Sequence, residues 1–182
     1  MRASNPAIIW ELLLPRLPHQ AIFLCGGWEG SLHDPSIAPS TSVQVFDPNG
    51  CGWVRHDTYL PAMDTRHAYS ACIELDNTVY LIGGFVQPKS DDEAQTEAQG
   101  PTARVSAYSL RQRVWRERAA MHEQRNFVSA CRCRGRLYAM GGHNGQQRLA
   151  SAESYDPVAN RWHRLAPMHN VRSDAGATSL NG

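Results

Sequence analysis

The side chains best suited to chemistry in this chain are five cysteines and eight histidines. Thiolates and imidazoles are common ligands of transition metals, and a thiolate is also a strong nucleophile. No histidine pair has the helical spacing to an acid that a hydrolytic zinc site needs, and His163 and His169 fall in different parts of the sequence pattern. Cys131 and Cys133 share one face of a predicted strand, because side chains alternate with a period of two. That pair alone does not lead us to predict a metal or redox site.

Other catalytic and binding signals are also missing from the sequence. No glycine-rich phosphate loop precedes a helix, and there is no nucleophile elbow. The formal net charge is +1, with basic and acidic residues interspersed, so there is no electrostatic footprint for nucleic acid or an anionic membrane. We therefore predict a protein that is not an enzyme, uses no cofactor or metal, and binds neither nucleic acid nor membrane.

The cysteines form an odd set that falls mostly on apolar runs of the sequence. We predict buried free thiols rather than a disulfide framework, which indicates a reducing compartment and a cytoplasmic protein. The five residues are Cys25, Cys51, Cys72, Cys131 and Cys133.

A pair of adjacent glycines ends a short apolar run three times, and the same kinds of residue follow each pair in the same order. An aromatic residue at a turn comes first, then a tryptophan, a methionine and an arginine. The pairs are Gly26-Gly27, Gly83-Gly84 and Gly141-Gly142. The residues that follow are Phe46, Trp53, Met63 and Arg66, then Tyr108, Trp115, Met121 and Arg125, then Tyr155, Trp162, Met168 and Arg172. A period of about 45 to 60 residues with one order predicts a repeat array.

Each repeat is predicted to form four short strands. Two-residue turns at Asp76-Asn77 and Arg134-Gly135 are typical of hairpins. The apolar runs at 21–25, 79–82 and 137–140 do not alternate, which favours strands covered on both faces. Because glycine permits a close approach of the backbone, we expect the tryptophan of each unit to pack on the glycine pair.

These markers make the chain resemble kelch repeats, and most of all the kelch propeller region of the BTB-kelch proteins. The resemblance is closest at 140–145, 153–157 and 162–168, whereas Tyr108-Ser109-Leu110 lacks the usual acid and proline. It implies an all-β, kelch-type β-propeller fragment of about three four-stranded blades in an incomplete ring. Propellers typically have four to eight blades. We therefore expect a fragment, a truncated product, or an open arc that needs more blades.

The resemblance also divides the chain. Residues 1–18 would be the tail of a preceding BACK-like region or a linker, and 19–182 would be kelch repeats. Within them we predict an incomplete first unit at 19–63, a second unit at 64–121 with a flexible loop insertion at 86–104, a third unit at 122–168, and the first strand of a fourth at 169–182.

By resemblance, the chain is a non-catalytic protein–protein interaction module. It would be the substrate-recognition part of a cullin-3 ubiquitin ligase adaptor, and cullin-3 would be reached only through a BTB domain that these residues do not include. The alternative is an actin-binding, cytoskeletal kelch scaffold. Some kelch-like propellers are copper oxidases, but these need a tyrosine, cysteine and histidine constellation that no spacing here supplies.

In the proteins that this chain resembles, the residue after each glycine pair and the residue after each arginine face one mouth of the propeller and contact a peptide. A mixture of aromatic and polar side chains suits a peptide with a few anchors. The corresponding residues here are Trp28, Phe85 and His143, and His67, Asn126 and Ser173.

Overall fold

The computed structural model describes residues 20–30, 37–54, 60–88 and 99–180. The predicted tail at 1–18 and most of the predicted loop at 86–104 lie outside the described residues. Within the described ranges the chain forms sixteen β-strands and no helix. They are β1 (Ile22–Cys25), β2 (Trp28–Glu29), β3 (Ala38–Pro39), β4 (Val43–Asp47), β5 (Gly52–Val54), β6 (Arg66–Ala68), β7 (Ala71–Leu75), β8 (Thr78–Ile82), β9 (Phe85–Gln87), β10 (Gly100–Pro101), β11 (Val105–Ser109), β12 (Val114–Arg118), β13 (Ser129–Cys133), β14 (Arg136–Met140), β15 (Ala152–Asp156) and β16 (Arg161–Arg164).

Eleven of these strands form three antiparallel blades, as predicted. The first blade has the order β1-β4-β5, the second β12-β11-β8-β7, and the third β13-β14-β15-β16. The innermost strands β7 and β13 of the second and third blades pack against each other. The first blade has three strands, because no described strand pairs with the free edge of β1. Short strands join the blades at one end, in the sheets β2-β3 and β10-β9-β6.

The hairpins close at the predicted turns. Asp76 and Asn77 have φ of 51° and 58°, and Arg134 and Gly135 have φ of 49° and 70°. Positive φ at both central residues is the type I′ conformation, whose twist matches that of the flanking strands. The predicted turn chemistry therefore sets the register of the two inner hairpins, β7 with β8 and β13 with β14.

In the second unit, a serine replaces the usual acid in the turn between the two outer strands and accepts an equivalent hydrogen bond. In the third unit, Asp156 Oδ1 accepts a hydrogen bond from the backbone N–H of Val158 at 3.0 Å. In the second unit, Ser109 Oγ accepts one from the N–H of Gln112 at 3.2 Å. A hydroxyl can cap a turn in the same way as a carboxylate, more weakly.

Apolar side chains fill the space between neighbouring blades. One buried cluster lies between the first and second blades, and a larger one between the second and third. The prediction of strands covered on both faces holds for β8, which is buried from Val79 to Ile82. It is wrong for β1, where Ile22 is 57% and Leu24 51% exposed. These two side chains point to the side of the first blade on which none of the described residues forms a further blade.

The tryptophans do not pack on the glycine pairs, contrary to our expectation. Trp162 lies 5.1 Å from the ring of Tyr155, centroid to centroid, and its Nε1 donates a hydrogen bond to the carbonyl of Ala119 at 2.9 Å. It is on the outermost strand β16, two strands away from β14, which the glycine pair follows. The backbone of the following repeat lies against the first glycine of the pair instead, since a Cβ on Gly26 would come within 2.5 Å of the carbonyl oxygen of His67.

The described part of the predicted fourth-unit strand, residues 169–180, has no β-structure. A strand is stabilised by ladder hydrogen bonds to a neighbour, and none of the described segments pairs with this one. In the portion of the chain that the structure covers, there is no long apolar helix of the kind that crosses a membrane.

Candidate functional site

The chain crosses from one blade to the next over the glycine pair of the preceding blade. In each crossing, the backbone N–H of the second glycine donates to a carbonyl of the following repeat. The three bonds run from Gly27 to His67 (2.9 Å), from Gly84 to Arg125 (2.6 Å) and from Gly142 to Arg172 (2.9 Å). His67 is therefore the structural equivalent of the two arginines. The sequence pattern had aligned Arg66 with them, which is wrong by one residue.

Two residues beyond each crossing, the backbone turns inward in a left-handed conformation. Tyr69, Phe127 and Asp174 have φ of 57°, 51° and 56°. The N–H of Phe127 donates to the carbonyl of Tyr69 at 3.0 Å, and the N–H of Asp174 donates to that of Phe127 at 3.1 Å. Bulky residues rarely adopt positive φ, so these bonds between successive repeats hold a strained backbone in place.

Four aromatic rings meet at this end of the blades, and we call them the aromatic mouth: Trp28, Tyr69, Phe85 and Phe127. Trp28 lies 5.8 Å from Tyr69 and 6.2 Å from Phe85, and Tyr69 lies 4.2 Å from Phe127, all between ring centroids. Trp28 and Tyr69 are 45% and 43% exposed, and the two phenylalanines are half-buried. The arrangement is a continuous apolar surface built from all three blades.

The structure brings the predicted residues Trp28 and Phe85 together in the aromatic mouth. It places Asn126 and His143 together at the third blade, where each backbone N–H donates to the other's carbonyl, at 3.0 and 2.9 Å. The imidazole Nδ1 of His143 accepts a hydrogen bond from the N–H of Gly145 at 3.0 Å. Ser173 Oγ accepts one from Arg148 Nε at 3.3 Å. The described ring contacts of the mouth do not include His143.

His67 lies beneath the surface rather than on it. Its side chain is 4% exposed, and Nε2 lies 2.6 Å from the hydroxyl of Thr65. Burial lowers the pKa of His67 to about 4, and the positive charge of Arg104 adds to the effect. His67 is therefore neutral near pH 7. Asn126 is also buried, at 9% exposure.

The repeat arginine has a structural role in the third blade. Arg125 is fully buried, donates to the carbonyls of Gly141 (2.9 Å) and Ser151 (3.1 Å), and pairs with Glu153 at 3.0 Å. Burial raises the pKa of Glu153, but hydrogen bonds from His122 and Arg125 and the arginine charge outweigh it, so the pKa lies below its ordinary value. The guanidinium thus ties the crossing segment to the blade that follows it.

The second blade has a histidine and a serine at the equivalent positions. Ser106 occupies the register of Glu153, because Ser106 lies opposite Leu81 on β8 just as Glu153 lies opposite Ala139 on β14. His67 and Ser106 therefore stand where the third blade has Arg125 and Glu153. Loss of both charges together avoids leaving one of them buried and unpaired.

Sequence reasoning missed Tyr69 and Phe127 as members of the site. Each lies two residues after the crossing position, in the order His67, Ala68, Tyr69 and Arg125, Asn126, Phe127. Alignment on the methionines, Met63 and Met121, would have found them, since each lies six residues downstream.

The five cysteines are free thiols, but none of them is fully buried, contrary to the prediction. Cys51, in the turn between β4 and β5, and Cys72, on β7, are exposed, and the other three are half-buried. The described residues contain no group of three histidine, cysteine or acidic side chains able to hold a metal ion.

These repeats are similar to those of known proteins. The family model of the Kelch motif matches residues 124–169. The chain is 26% identical to Kelch repeat and BTB domain-containing protein F47D12.7 of Caenorhabditis elegans, over 99% of this chain and 29% of that protein. It is 33% identical to Kelch-like protein 35 of Homo sapiens, over 77% of this chain and 21% of that protein. The chain thus spans less than a third of the length of either relative.

A solved structure shows the same fold. The structure of YjhT superposes with a TM-score of 0.68 at 11% sequence identity, and the match covers 86% of this chain and 52% of that one. At this identity the likeness concerns the fold alone.

Proposed function

This chain is a kelch-repeat protein, and from that premise we propose that it binds a peptide segment of a protein partner at its aromatic mouth. The observation that carries the proposal is the contact of Tyr69 with Phe127, ring to ring at 4.2 Å, with both residues on left-handed backbone. Backbone strain of this kind costs on the order of 1–3 kcal/mol per residue and is concentrated at ligand sites.

The mouth suits a peptide for two physical reasons. Exposed rings offer a large contact area, and they lose little conformational entropy on binding because each has only two side-chain torsions. Trp28 and Tyr69, the most exposed of the four rings, would serve as the main anchors. His67 and Asn126, which are buried, would support the mouth from beneath. His143 and Ser173 would extend the surface toward the third blade.

We propose further that the protein is the substrate-recognition part of a cullin-3 ubiquitin ligase adaptor in the cytoplasm. The support is the likeness to a relative named for kelch repeats together with a BTB domain. In this proposal cullin-3 contacts the BTB domain, and the repeats supply only the substrate site. The alternative is a kelch scaffold that binds actin.

Peptide selection tests the mouth directly. The purified chain is immobilised and panned against a phage-displayed random peptide library, and binding of the enriched peptides is measured by fluorescence polarisation. We expect Trp28→Ala with Tyr69→Ala to abolish binding. The matched control is Val158→Ala, because Val158 is 96% exposed in the turn between β15 and β16. Equal binding by the double variant and the control would refute the proposal that the peptide binds at the aromatic mouth.

A second measurement separates adaptor from scaffold. The longest expressed form of the protein is purified from cells and probed for cullin-3, and in parallel it is sedimented with actin filaments. Recovery of cullin-3 without sedimentation supports the adaptor. Sedimentation without cullin-3 supports the scaffold.

A further inference from the structure

Two thiols face each other across the interface between the first and second blades. Cys25 is the last residue of β1, and Cys72 is the second residue of β7. Their sulfur atoms lie 3.9 Å apart, with the Cys72 thiol directed at the Cys25 sulfur. The two residues are 47 positions apart in sequence, so only the packing of one blade on the next brings them together.

Residues at the two equivalent positions of the next interface also pack together, so the contact follows from the way successive blades stack. Cys25 immediately precedes a glycine pair, as Ile82 does in the second blade. Cys72 lies opposite Leu81 on β8, as Ala130 lies opposite Ala139 on β14. Ile82 and Ala130 belong to one buried apolar cluster between the second and third blades. The first interface therefore holds two thiols where the second holds two apolar side chains.

We propose that Cys25 and Cys72 are a redox modification site, which closes to a disulfide between the first and second blades when the protein meets a hydroperoxide. Cys72 is exposed and open to a small oxidant, whereas Cys25 is half-buried. A disulfide requires the sulfurs at about 2.05 Å, so they must approach by about 2 Å.

The chemistry proceeds in two balanced steps. The Cys72 thiolate attacks one oxygen of the hydroperoxide, the O–O bond breaks, and a sulfenic acid forms while the other oxygen leaves as water or alcohol after protonation. The Cys25 sulfur then attacks the Cys72 sulfur, the S–O bond breaks, and the hydroxyl leaves as water with the thiol proton. Two thiols lose two electrons in total, and one hydroperoxide gains them.

The electrostatics of the pair suit this division of roles. The hydrogen bond between the two thiols lowers the pKa of the Cys72 thiol, against the opposing effect of burial, whereas the same bond and burial raise the pKa of Cys25. A lower pKa increases the fraction of reactive thiolate at neutral pH. Cys72 is thus the attacking thiol, and Cys25 resolves the sulfenic acid.

Peptide mass spectrometry tests the proposal on the whole chain. The reduced protein is treated with one equivalent of hydrogen peroxide, alkylated, digested without reductant and analysed. We expect a peptide linked through Cys25 and Cys72 to be the main product, and the number of titratable thiols to fall by two from five. Because the link restricts the unfolded chain, the melting midpoint should rise on oxidation and return with dithiothreitol.

Matched variants make the outcome decisive. Cys25→Ala and Cys72→Ala should each remove the linked peptide and the rise in melting midpoint, whereas Cys133→Ala should keep both. A second oxidation is carried out in urea, where the chain is unfolded and the contact between the two thiols is lost. The yield of the Cys25–Cys72 link should there fall severalfold. The proposal is overturned if Cys72 pairs with another cysteine, if it stops at sulfinic acid, or if the unfolded chain gives an equal yield.

Discussion

His67 and Arg125 hold the same position in successive repeats, yet one is a neutral imidazole and the other a charged guanidinium in an ion pair. The carbonyl of each accepts a hydrogen bond from the second glycine of the preceding blade, at 2.9 and 2.6 Å. The backbone crossing is therefore common to both repeats, and the side chain beneath it is not. This difference gives the second blade a distinct response to pH.

We predict that acid destabilises the protein through His67. Burial holds the pKa of His67 at about 4, whereas the unfolded chain has an ordinary histidine pKa of about 6.5. Between these values the unfolded state binds the proton and the folded state does not, so folding stability falls as the pH falls through this window. The contribution is at most about 1.4 kcal/mol per pH unit. Urea unfolding between pH 7 and pH 4 measures it.

The control for this prediction is a second histidine. His67→Gln should flatten the pH dependence over this window, while His163→Gln, at an exposed position on β16, should leave it unchanged. An identical slope for wild type and His67→Gln would show that other groups cause the loss.

The parts of the fold that could be predicted from sequence are those set by local chemistry. Asn77 and Gly135 complete type I′ turns because of their own conformational preferences, and the glycine pairs mark the repeat. The mouth was predicted only in part. Trp28 and Phe85 could be placed because they follow a marked pair. Tyr69 was missed because the repeats were aligned on Arg66; its spacing from Met63 marks the position, but the left-handed backbone and the bond from Phe127 that hold it there are seen only in the structure.

The tryptophans provide a test of the blade interfaces. Trp162 is 2% exposed and Trp53 is 58% exposed, although both occupy the same place in the repeat. We predict that Trp162→Ala lowers the free energy of unfolding by about 3 to 5 kcal/mol, because it removes a buried indole and its bond to Ala119. Trp53→Ala should cost less than about 1 kcal/mol. Chemical denaturation compares them, and equal losses would contradict the assignment of Trp162 to an interface.

The glycine pairs allow backbone strain to be separated from steric clash. Gly27 and Gly142 have φ of 95° and 92°, so alanine is strained at both positions. A Cβ on Gly142 would lie 2.6 Å from the carbonyl oxygen of Asn126, whereas no described atom beyond the chain neighbours lies within 4 Å of one on Gly27. We predict that Gly142→Ala is more destabilising than Gly27→Ala by about 1 to 3 kcal/mol. Similar melting points for the two variants would show that the crossing segment shifts to accommodate the added Cβ.

The edge of the first blade predicts self-association of this chain. Ile22 and Leu24 are exposed on β1, and no described strand pairs with its free edge. Such edges recruit further strands. We expect light scattering after size-exclusion chromatography to show a mass that rises with concentration, and Leu24→Lys to reduce it. Val114→Lys, at an exposed position on the outermost strand of the second blade, is the control. A concentration-independent monomer would refute this prediction.

The last prediction separates binding from folding at the mouth. Phe85 is half-buried and touches Trp28, and His143 lies across the surface at the third blade. Both follow a glycine pair, where the chain has left the main blade ladder, so their removal opens no cavity in either buried apolar cluster. We therefore predict that Phe85→Ala with His143→Ala keeps the melting midpoint within a few degrees of wild type. Binding of a peptide selected by the wild-type chain should weaken by more than about 1 kcal/mol.

The two single variants show where the binding energy lies. If the aromatic mouth provides the anchors, Phe85→Ala alone should account for most of the loss, because the ring of Trp28 would lose its neighbour at 6.2 Å. His143→Ala should then have a small effect. A loss dominated by His143 would move the peptide toward the third blade, where Arg148 and Ser173 lie. Unchanged binding with unchanged melting would remove both residues from the site, since the folded protein would then bind without them.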